Sequence, residues 1–377
     1  MDALWTGLGF AAAIAVWLVQ VAALFLLSTF VFDVVHWLLH VFARSRLRAL
    51  RAIGSLHETH HRFLPRDLRV RDELIPANLR HHVIPEYLTH LAVSAAWLWL
   101  APLPVVLGAV AIQTATVAYI LSQRGQDVNH RSREQVRAYA PSYLCAPSYH
   151  ALHHAHPDAH YAAYLKTFDH LMGTGTSLAG RSVALVGADT PLGAALAAAL
   201  RRHAVSALVE IGAARSGDAL ELEGSDIVVL LHGAVNPALG SGAAAERIER
   251  FAERAKARRL PAELWAAGSE LELAGAGRGD PARAARAAAA REFALRARSF
   301  YADRRFLYRH LVLPEPAGPR GFGQLSPRAA ARMALFFVRR GFRYVPVSAT
   351  GLAFANYLRF RYALAAEPGP RLAPRAV

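Results

Sequence analysis

The chain has 377 residues, a formal net charge of +15, 54% hydrophobic residues and a mean hydropathy of +0.20. That length holds two domains, and the apolar content is high for a protein that is soluble throughout. A single cysteine, Cys145, excludes an intramolecular disulfide and any CxxC metal site. The positive charge is arginine spread through Ala-rich stretches rather than a compact nucleic-acid module, so the expected counter-charge is anionic lipid and not nucleic acid.

Leu8 to Phe32 is apolar apart from Gln20, Ser28 and Thr29. At about 1.5 Å per residue such a run crosses a hydrocarbon core of about 30 Å. It is too long for the core of a signal peptide, no basic region precedes it and no small-residue cleavage site ends it. A transmembrane helix is expected. Arg44, Arg46, Arg48 and Arg51 follow at once, which places that end in the cytoplasm. Tyr87 to Leu121 is a second apolar block, split by Pro102 and Pro104 into Leu88–Leu100 and Val105–Leu121. A hairpin dipping in from the cytoplasmic side fits; each arm is short for a full span, so a shallow or re-entrant hairpin is the alternative to two passes.

Fifteen of the eighteen histidines lie between His36 and His170. His36 and His40 are one turn apart on one helical face, as are His57, His60 and His61 at i, i+3 and i+4. His150, His153 and His154 repeat the second spacing, and His130 is a fourth contributor. A single such pair is ordinarily a surface or core histidine pair. Three groups beside apolar passes point to converging neutral imidazoles, which bind transition metals. Nine imidazoles exceed what one ion can hold, so the spacing argues for two. Ligand type alone leaves Fe, Zn, Cu and Ni open.

The set HxxxH, HxxHH and HxxHH closes with Tyr161-Ala-Ala-Tyr-Leu-Lys-Thr-Phe-Asp-His-Leu-Met-Gly-Thr174. In this the chain resembles the membrane fatty acid hydroxylase/sterol desaturase superfamily over roughly residues 10 to 176. Tyr161, Asp169, Leu171, Gly173 and Thr174 match that family's closing segment. The resemblance implies two non-haem irons held by the nine histidines. It also implies O2, an external electron donor (ferredoxin, cytochrome or reductase) and hydroxylation or desaturation of a lipid of fatty acyl, sterol or carotenoid-like type. The chain departs from the family at His160, usually Asn, and at Gln126, where a histidine often stands four residues before the equivalent of His130. The alternatives there are Gln126 as a weak ligand, Asp127 as its substitute, or an iron short of one ligand. His81 and His82 resemble the family's Arg-x-His region, as ligands or as supports for ligands. His90, His156 and His170 are assigned to support or surface. Asp33, Glu58, Asp127 and Asp169 are placed to hold imidazole N–H groups.

From Ser177–Gly180 the pattern changes. Arg181–Gly187, Ala207–Ile211, Asp226–Leu231, Leu260–Ala266 and Phe306–Leu313 read as strands alternating with helices, including Ala243–Arg258 and Ala282–Arg298. This is a parallel sheet with helices on both faces. Val186-Gly-Ala-Asp-Thr-Pro-Leu-Gly193 resembles the glycine-rich turn of short-chain dehydrogenases. Gly187 and Gly193 fit a nucleotide turn, Pro191 replaces its middle glycine, and Glu210 is placed for a ribose hydroxyl of NAD. His232–Asn236 and Ser269 stand where such enzymes carry an Asn-containing motif and a serine. The Tyr-x-x-x-Lys pair is missing: the lysines are Lys166 and Lys256, and after Ser269 the chain reads Pro281-Ala-Arg-Ala-Ala-Arg286. Tyr301 with Arg305 lies too far downstream to replace it. A fold without its dehydrogenase acid is expected. The order of the two parts is similar to bacterial sterol desaturase/short-chain dehydrogenase fusions and plant alkane-forming wax enzymes.

The expected architecture is thus an α-helical integral membrane domain with histidine boxes (1–177), an α/β Rossmann-like domain (178–347) and a basic aromatic C-terminal helix and tail (348–377). Residues 327 to 366, with Met333–Val338 and Tyr357–Tyr362, suit either interfacial membrane contact or packing on the sheet. The expected protein is multi-pass, with its active site and C-terminal domain on the cytoplasmic face. The alternatives are a non-catalytic membrane protein with relict metal boxes, and an NAD(P)-dependent lipid aldehyde reductase working through the second domain.

Overall fold

The structure is a computed structural model. It describes residues 2–127, 129–130, 132, 143–145, 147–212, 224–231, 240–255, 262–272, 280–303, 305–314, 325–348 and 353–363. The chain divides into two compact units, Met1–Ser177 and Leu178–Val377.

The first unit is helical. α1 (Asp2–Ala43) runs unbroken for 42 residues, because no proline or internal turn interrupts its apolar stretch. A turn at Arg44–Ser45 reverses the chain into α2 (Arg48–Phe63). The two helices cross closely at Gly54: a Cβ there would lie 2.3 Å from Ala43 N and 2.7 Å from Leu39 O. Glycine in a helix interior costs about 1 kcal/mol against alanine, and here it lets α2 lie directly on the last turn of α1.

α3 (Ile75–Asn78), a π-helical turn (Leu79–Val83) and α4 (Ile84–Ala96) form one continuous rod. Pro102 then caps α5 (Leu103–Ser122). The expected hairpin is therefore present as two helices, joined by buried hydrogen bonds between Ser94 and Gln113. Val21 and Leu24 of α1 pack on Val105, Val106 and Ala109 of α5. Gly9–Ala43 and Leu103–Ser122 are each long and apolar enough to cross a membrane. The second is longer than the sequence spacing suggests, because the helix begins immediately after Pro102. α6 (Pro147–Ala155) carries the last histidine box, and α7 (Thr167–Met172) ends on Gly173 in the left-handed conformation.

The second unit is a six-stranded, all-parallel sheet of β1 (Ser182–Val186), β2 (Ala207–Ile211), β3 (Ile227–Leu230), β4 (Glu263–Ser269), β5 (Leu307–Leu313) and β6 (Tyr344–Pro346), in the order β2-β1-β3-β4-β5-β6. Its inner strands are buried on both faces, which explains their continuous apolar runs. α8 (Pro191–Arg201) and a later helix (Pro327–Arg339) cover one face, with Leu196, Leu200, Ala331 and Leu335 against Leu185 and Trp265. α9 (Gly240–Ala255) and α10 (Pro281–Ala302) cover the other, with Ile248, Phe293 and Ala297 against Val186 and Tyr308. The 327–339 helix is α11; α12 (Ala353–Leu358) follows.

Of the two readings of the C-terminal stretch, packing on the sheet holds: Ala330, Ala334 and Val338 face the core, and Phe360 is fully buried. The short strand β6 was not legible, since Tyr344-Val-Pro346 is only three residues. Strand β4 begins at Glu263 and runs on to Ser269, further than the apolar run suggested, because Gly268 is accommodated beside His310. His232–Asn236 and Lys256 lie outside the described residues.

Candidate metal centre

The first unit brings all nine expected histidines together and sorts them into two groups. His36, His40, His57, His61 and His153 form one; His60, His130, His150 and His154 form the other. Within each, one nitrogen per ring lies within 4.8 Å of the rest. The sorting follows from helical spacing. On α2, His57 and His61 share one face and His60 is turned from it, so one box feeds both groups. On α6, His150 and His154 join one group while His153 joins the other.

Several rings have one nitrogen anchored by the protein. His60 Nδ1 lies 2.8 Å from Asn78 Oδ1, and His130 Nδ1 2.7 Å from Asp127 Oδ1. His153 Nδ1 lies 2.7 Å from Ala159 O, and His154 Nδ1 2.6 Å from Leu64 O. Carbonyl, amide and carboxylate oxygens only accept here, so each of these Nδ1 atoms carries the ring proton and each Nε2 keeps its lone pair. The inward Nε2 atoms of His36, His60, His130 and His154, and both nitrogens of His57 and His150, are buried and have no partner among the described residues. A buried polar atom left so costs a few kcal/mol. The Nε2 atoms of His40, His61 and His153 stand 3.1 to 3.2 Å apart. Imidazole nitrogens would hold a transition metal from about 2.1 Å, so nitrogens gathered this closely suit such an ion. The donor set therefore fits metal ions.

Electrostatics agrees. Burial, and then the neighbouring imidazole of His40, holds the pKa of His61 down to about 3. Burial likewise drives those of His57, His60, His150, His153 and His154 well below the usual value. These rings are neutral, as ligation requires. His130 is different: burial lowers its pKa, but the charge and hydrogen bond of Asp127 outweigh that and raise it.

The surrounding carboxylates divide. Asp127 holds an imidazole, as expected, and is not itself in either group. Asp33 and Asp169 hold backbone instead. Asp33 accepts from Ala163 N. Asp169 accepts from Tyr161 N, Ala162 N, Tyr149 Oη and Thr174 Oγ1. It thereby ties the closing segment beneath α6, which gives the Tyr161…Thr174 signature its physical purpose. His160 sits in that segment at φ 62, the left-handed region that asparagine enters most readily among non-glycine residues. Glu58 is exposed.

Gln126 is half-buried and belongs to neither group. The four-membered group is one imidazole short of its neighbour at the point where the resembled family carries a further histidine. His82 joins neither group; it stacks on His60 at 3.5 Å between ring centroids. His81 points the other way, 3.4 Å from Thr59. His90 packs on Phe32, and His170 on Tyr143. His156 is half-buried outside both groups. Asn78 and the carbonyls of Leu64 and Ala159 were not foreseen. Backbone acceptors leave no mark in a sequence, and Asn78 lies eighteen residues from the ring that it orients.

In the second unit, Gly187 has φ 90 and Gly193 has no room for a side chain, since a Cβ would meet Gly187 O at 2.0 Å. The nucleotide-type turn is present in its backbone. Thr190 caps α8 by accepting from Gly193 N, and Pro191 removes a further donor. Glu210 is paired with Arg201 of α8, and the carboxylate nearest Gly212 belongs to Asp189. Arg305 is taken up by Asp303, Glu249 and Glu253, and Tyr301 lies buried beneath Arg343.

Residues 21–174 match the sequence model of the fatty acid hydroxylase family. Over 222 residues the chain is 28% identical to the monoglucosyldiacylglycerol epimerase of a Synechocystis species, covering 54% of this chain and 50% of that protein. The chain thus spans about half the length of that relative. The resemblance read from the histidine boxes is borne out over the matched residues.

Proposed function

We propose that this protein is a membrane-bound oxidoreductase that holds two non-haem irons between its nine histidines and hydroxylates or desaturates a hydrophobic lipid with O2. One observation carries the reading: nine imidazoles gathered in two groups, most of them buried, several with the outer nitrogen anchored and the inner one unpartnered among the described residues. The likeness of residues 21–174 to fatty acid hydroxylases favours iron over other metals that imidazole accepts. When bound, a pair of redox-active irons supplies O2 activation and the oxidation of an unactivated C–H bond.

The chain does the positioning. Asp127, Asn78 and the carbonyls of Leu64 and Ala159 fix four rings in the tautomer that presents Nε2 inward. Burial shields the four-membered group and His36, His57 and His153 from water, while His40 and His61 are half-buried. α1 and α5 supply the apolar surface along which a lipid chain approaches. Electrons come from an external donor (ferredoxin, cytochrome or reductase) on the cytoplasmic side, where the second unit serves as scaffold or NAD(P)-binding module.

The test is metal analysis and O2 uptake of the purified full-length protein. About two irons per chain and reductant-dependent O2 uptake support the reading, and His60→Ala and His153→Ala should lose both. One zinc per chain without O2 uptake favours a non-catalytic metal-binding protein. A second reading rests on the likeness to the epimerase: inversion of a carbon in a glycolipid headgroup, without net change in the lipid's composition. Lipid profiling separates the two. A gain of one oxygen or loss of two hydrogens supports the first; unchanged mass with altered chromatographic mobility supports the second. NAD(P)H oxidation by the full chain with a long-chain aldehyde would instead assign the chemistry to the second unit.

A further inference from the structure

In the second unit, α11 packs on the sheet by one face only, through Ala330, Ala331, Ala334, Leu335 and Val338. The opposite face is a stripe. Arg328, Arg332, Phe336 and Arg339 recur at i, i+4, i+8 and i+11, which is one side of a helix. All four are exposed, and Phe336 keeps 49% of its surface in solvent. The guanidinium of Arg340 lies over its ring, 3.6 Å from the centroid. α8 lies alongside in the same layer and ends on Arg201 and Arg202. The basic ends of the two helices converge: after burial, the charges of Arg339 and Arg202 hold the pKa of His203 below its usual value.

The layer on the other face of the sheet is built differently. There Arg250 is answered by Glu246, Arg296 by Glu292 and Arg305 by Glu249. Neither α8 nor α11 contains an aspartate or a glutamate. Arg201 reaches Glu210 of β2, but Arg202, Arg328, Arg332 and Arg339 have no ion pair among the described residues. Surfaces that face only water intersperse the two signs; a layer with one sign, left unpaired, suits an opposite charge outside the chain. Phe336 narrows the choice. A nucleic-acid backbone or an acidic protein would satisfy the arginines and leave the ring with little gain. An anionic bilayer offers phosphates at the level of the guanidinium groups and an apolar layer beneath them, for the ring and for the aliphatic stems of the arginines. The same chain carries two helices long and apolar enough to cross a membrane, so a lipid surface is also the partner nearest to hand.

We propose that the outer face of α8 and α11 is a docking surface for anionic lipid, with Arg202, Arg328, Arg332 and Arg339 on headgroup phosphates and Phe336 at the boundary of the acyl layer. The contact needs no metal and no turnover, so it stands apart from the chemistry proposed for the first unit.

The test is a footprint of the full-length protein in nanodiscs of phosphatidylcholine alone or with about 30% phosphatidylglycerol. The reaction of each arginine with phenylglyoxal is followed by mass spectrometry. Arg202, Arg328, Arg332 and Arg339 should react at least about fivefold more slowly in the anionic discs, since each arginine at such a surface is worth about that factor in partitioning. Arg250 and Arg296, on the other face, should react alike in both. Salt at about 1 M, where the Debye length is about 3 Å, should abolish the protection. The double variant Arg332→Glu/Arg339→Glu should lose the protection of Arg202 and Arg328, and Phe336→Ser should weaken it, both at unchanged iron content. Equal reactivity of the four arginines in the two discs overturns the proposal. Equal protection of Arg250 and Arg296 overturns it too, as diffuse attraction of a basic chain. Protection by an oligonucleotide in phosphatidylcholine discs, with no effect of phosphatidylglycerol, would give the face to nucleic acid instead. A chain that stays out of the discs sinks the membrane-bound reading, and the same footprint is then read against added vesicles of the two compositions.

Discussion

The two units bury polar groups in opposite ways. In the second, the buried charges answer one another. Glu263 accepts from Arg181, Arg309 and Trp265, and His310 sits between Glu272 and Tyr308. In the first, imidazole nitrogens are buried facing one another with no partner among the described residues. A fold tolerates that cost where something outside the chain supplies the missing interaction. Completed polarity marks scaffold; uncompleted polarity, gathered at one point, marks a ligand site.

The largest effect should come from the uncompleted side. His57→Ala removes a ring with both nitrogens unpartnered and should lower metal affinity by more than about a hundredfold, beyond what residues that merely orient ligands cause. Iron titration of the purified variant measures it, and a wild-type affinity would break the contrast. Glu263→Gln should destabilise the second unit by about 3 to 5 kcal/mol, because it strands two buried guanidinium groups. Denaturant unfolding reads that loss, and iron loading of the first unit should persist.

Asp127→Asn should weaken metal binding by about ten- to a hundredfold, since it orients His130 without joining the group. Acid titration of the metal-stripped protein should also tell the units apart. Burial holds His61 at about 3 when folded, against 6.5 as a free side chain. The unfolded chain therefore takes up protons first, and stability that is full above pH 6.5 falls as the pH drops toward 3. For Glu263, burial raises the pKa but Arg181 and Arg309 outweigh it and hold the group below its ordinary 4.5. Its contribution is full above pH 4.5 and is lost only in stronger acid. Hydrogen exchange followed against pH should show the helical unit opening first; the reverse order would count against the contrast. Least of all, Arg201→Ala should change stability by no more than about 0.5 kcal/mol, because its pairing with Glu210 is solvent-exposed.

Much of this was legible because each signal was local. Helical spacing put His57, His60 and His61 on one side of α2, of which His57 and His61 share a group and His60 does not, and continuous apolar runs marked β1, β3 and β5. The glycine turn was equally plain in Gly187 and Gly193. The two-group sorting was legible only as a number, since the sequence does not say that His60 and His153 each break from the majority of their box. Asn78 and the carbonyls of Leu64 and Ala159 were hidden because their role comes from tertiary approach. Asp33 and Asp169 were misjudged for the same reason: adjacency to a histidine in sequence is not adjacency to its ring. The aromatic C-terminal stretch fitted a membrane surface and a sheet equally well; the burial of Phe360 shows the packing, while Phe336 and Tyr362 stay exposed.

The contact at Gly54 can be viewed as a fulcrum. His57 and His61 lie three and seven residues beyond it, about 4.5 and 10.5 Å along the axis of α2. A tilt of 5° about that point would displace the farther ring by about 0.9 Å, whereas ligand distances must hold to about 0.2 Å. The angular tolerance of both histidine groups is thus tied to a residue that belongs to neither. Any side chain at Gly54 would act as a wedge at the short end of the lever, detuning the two histidines by different amounts.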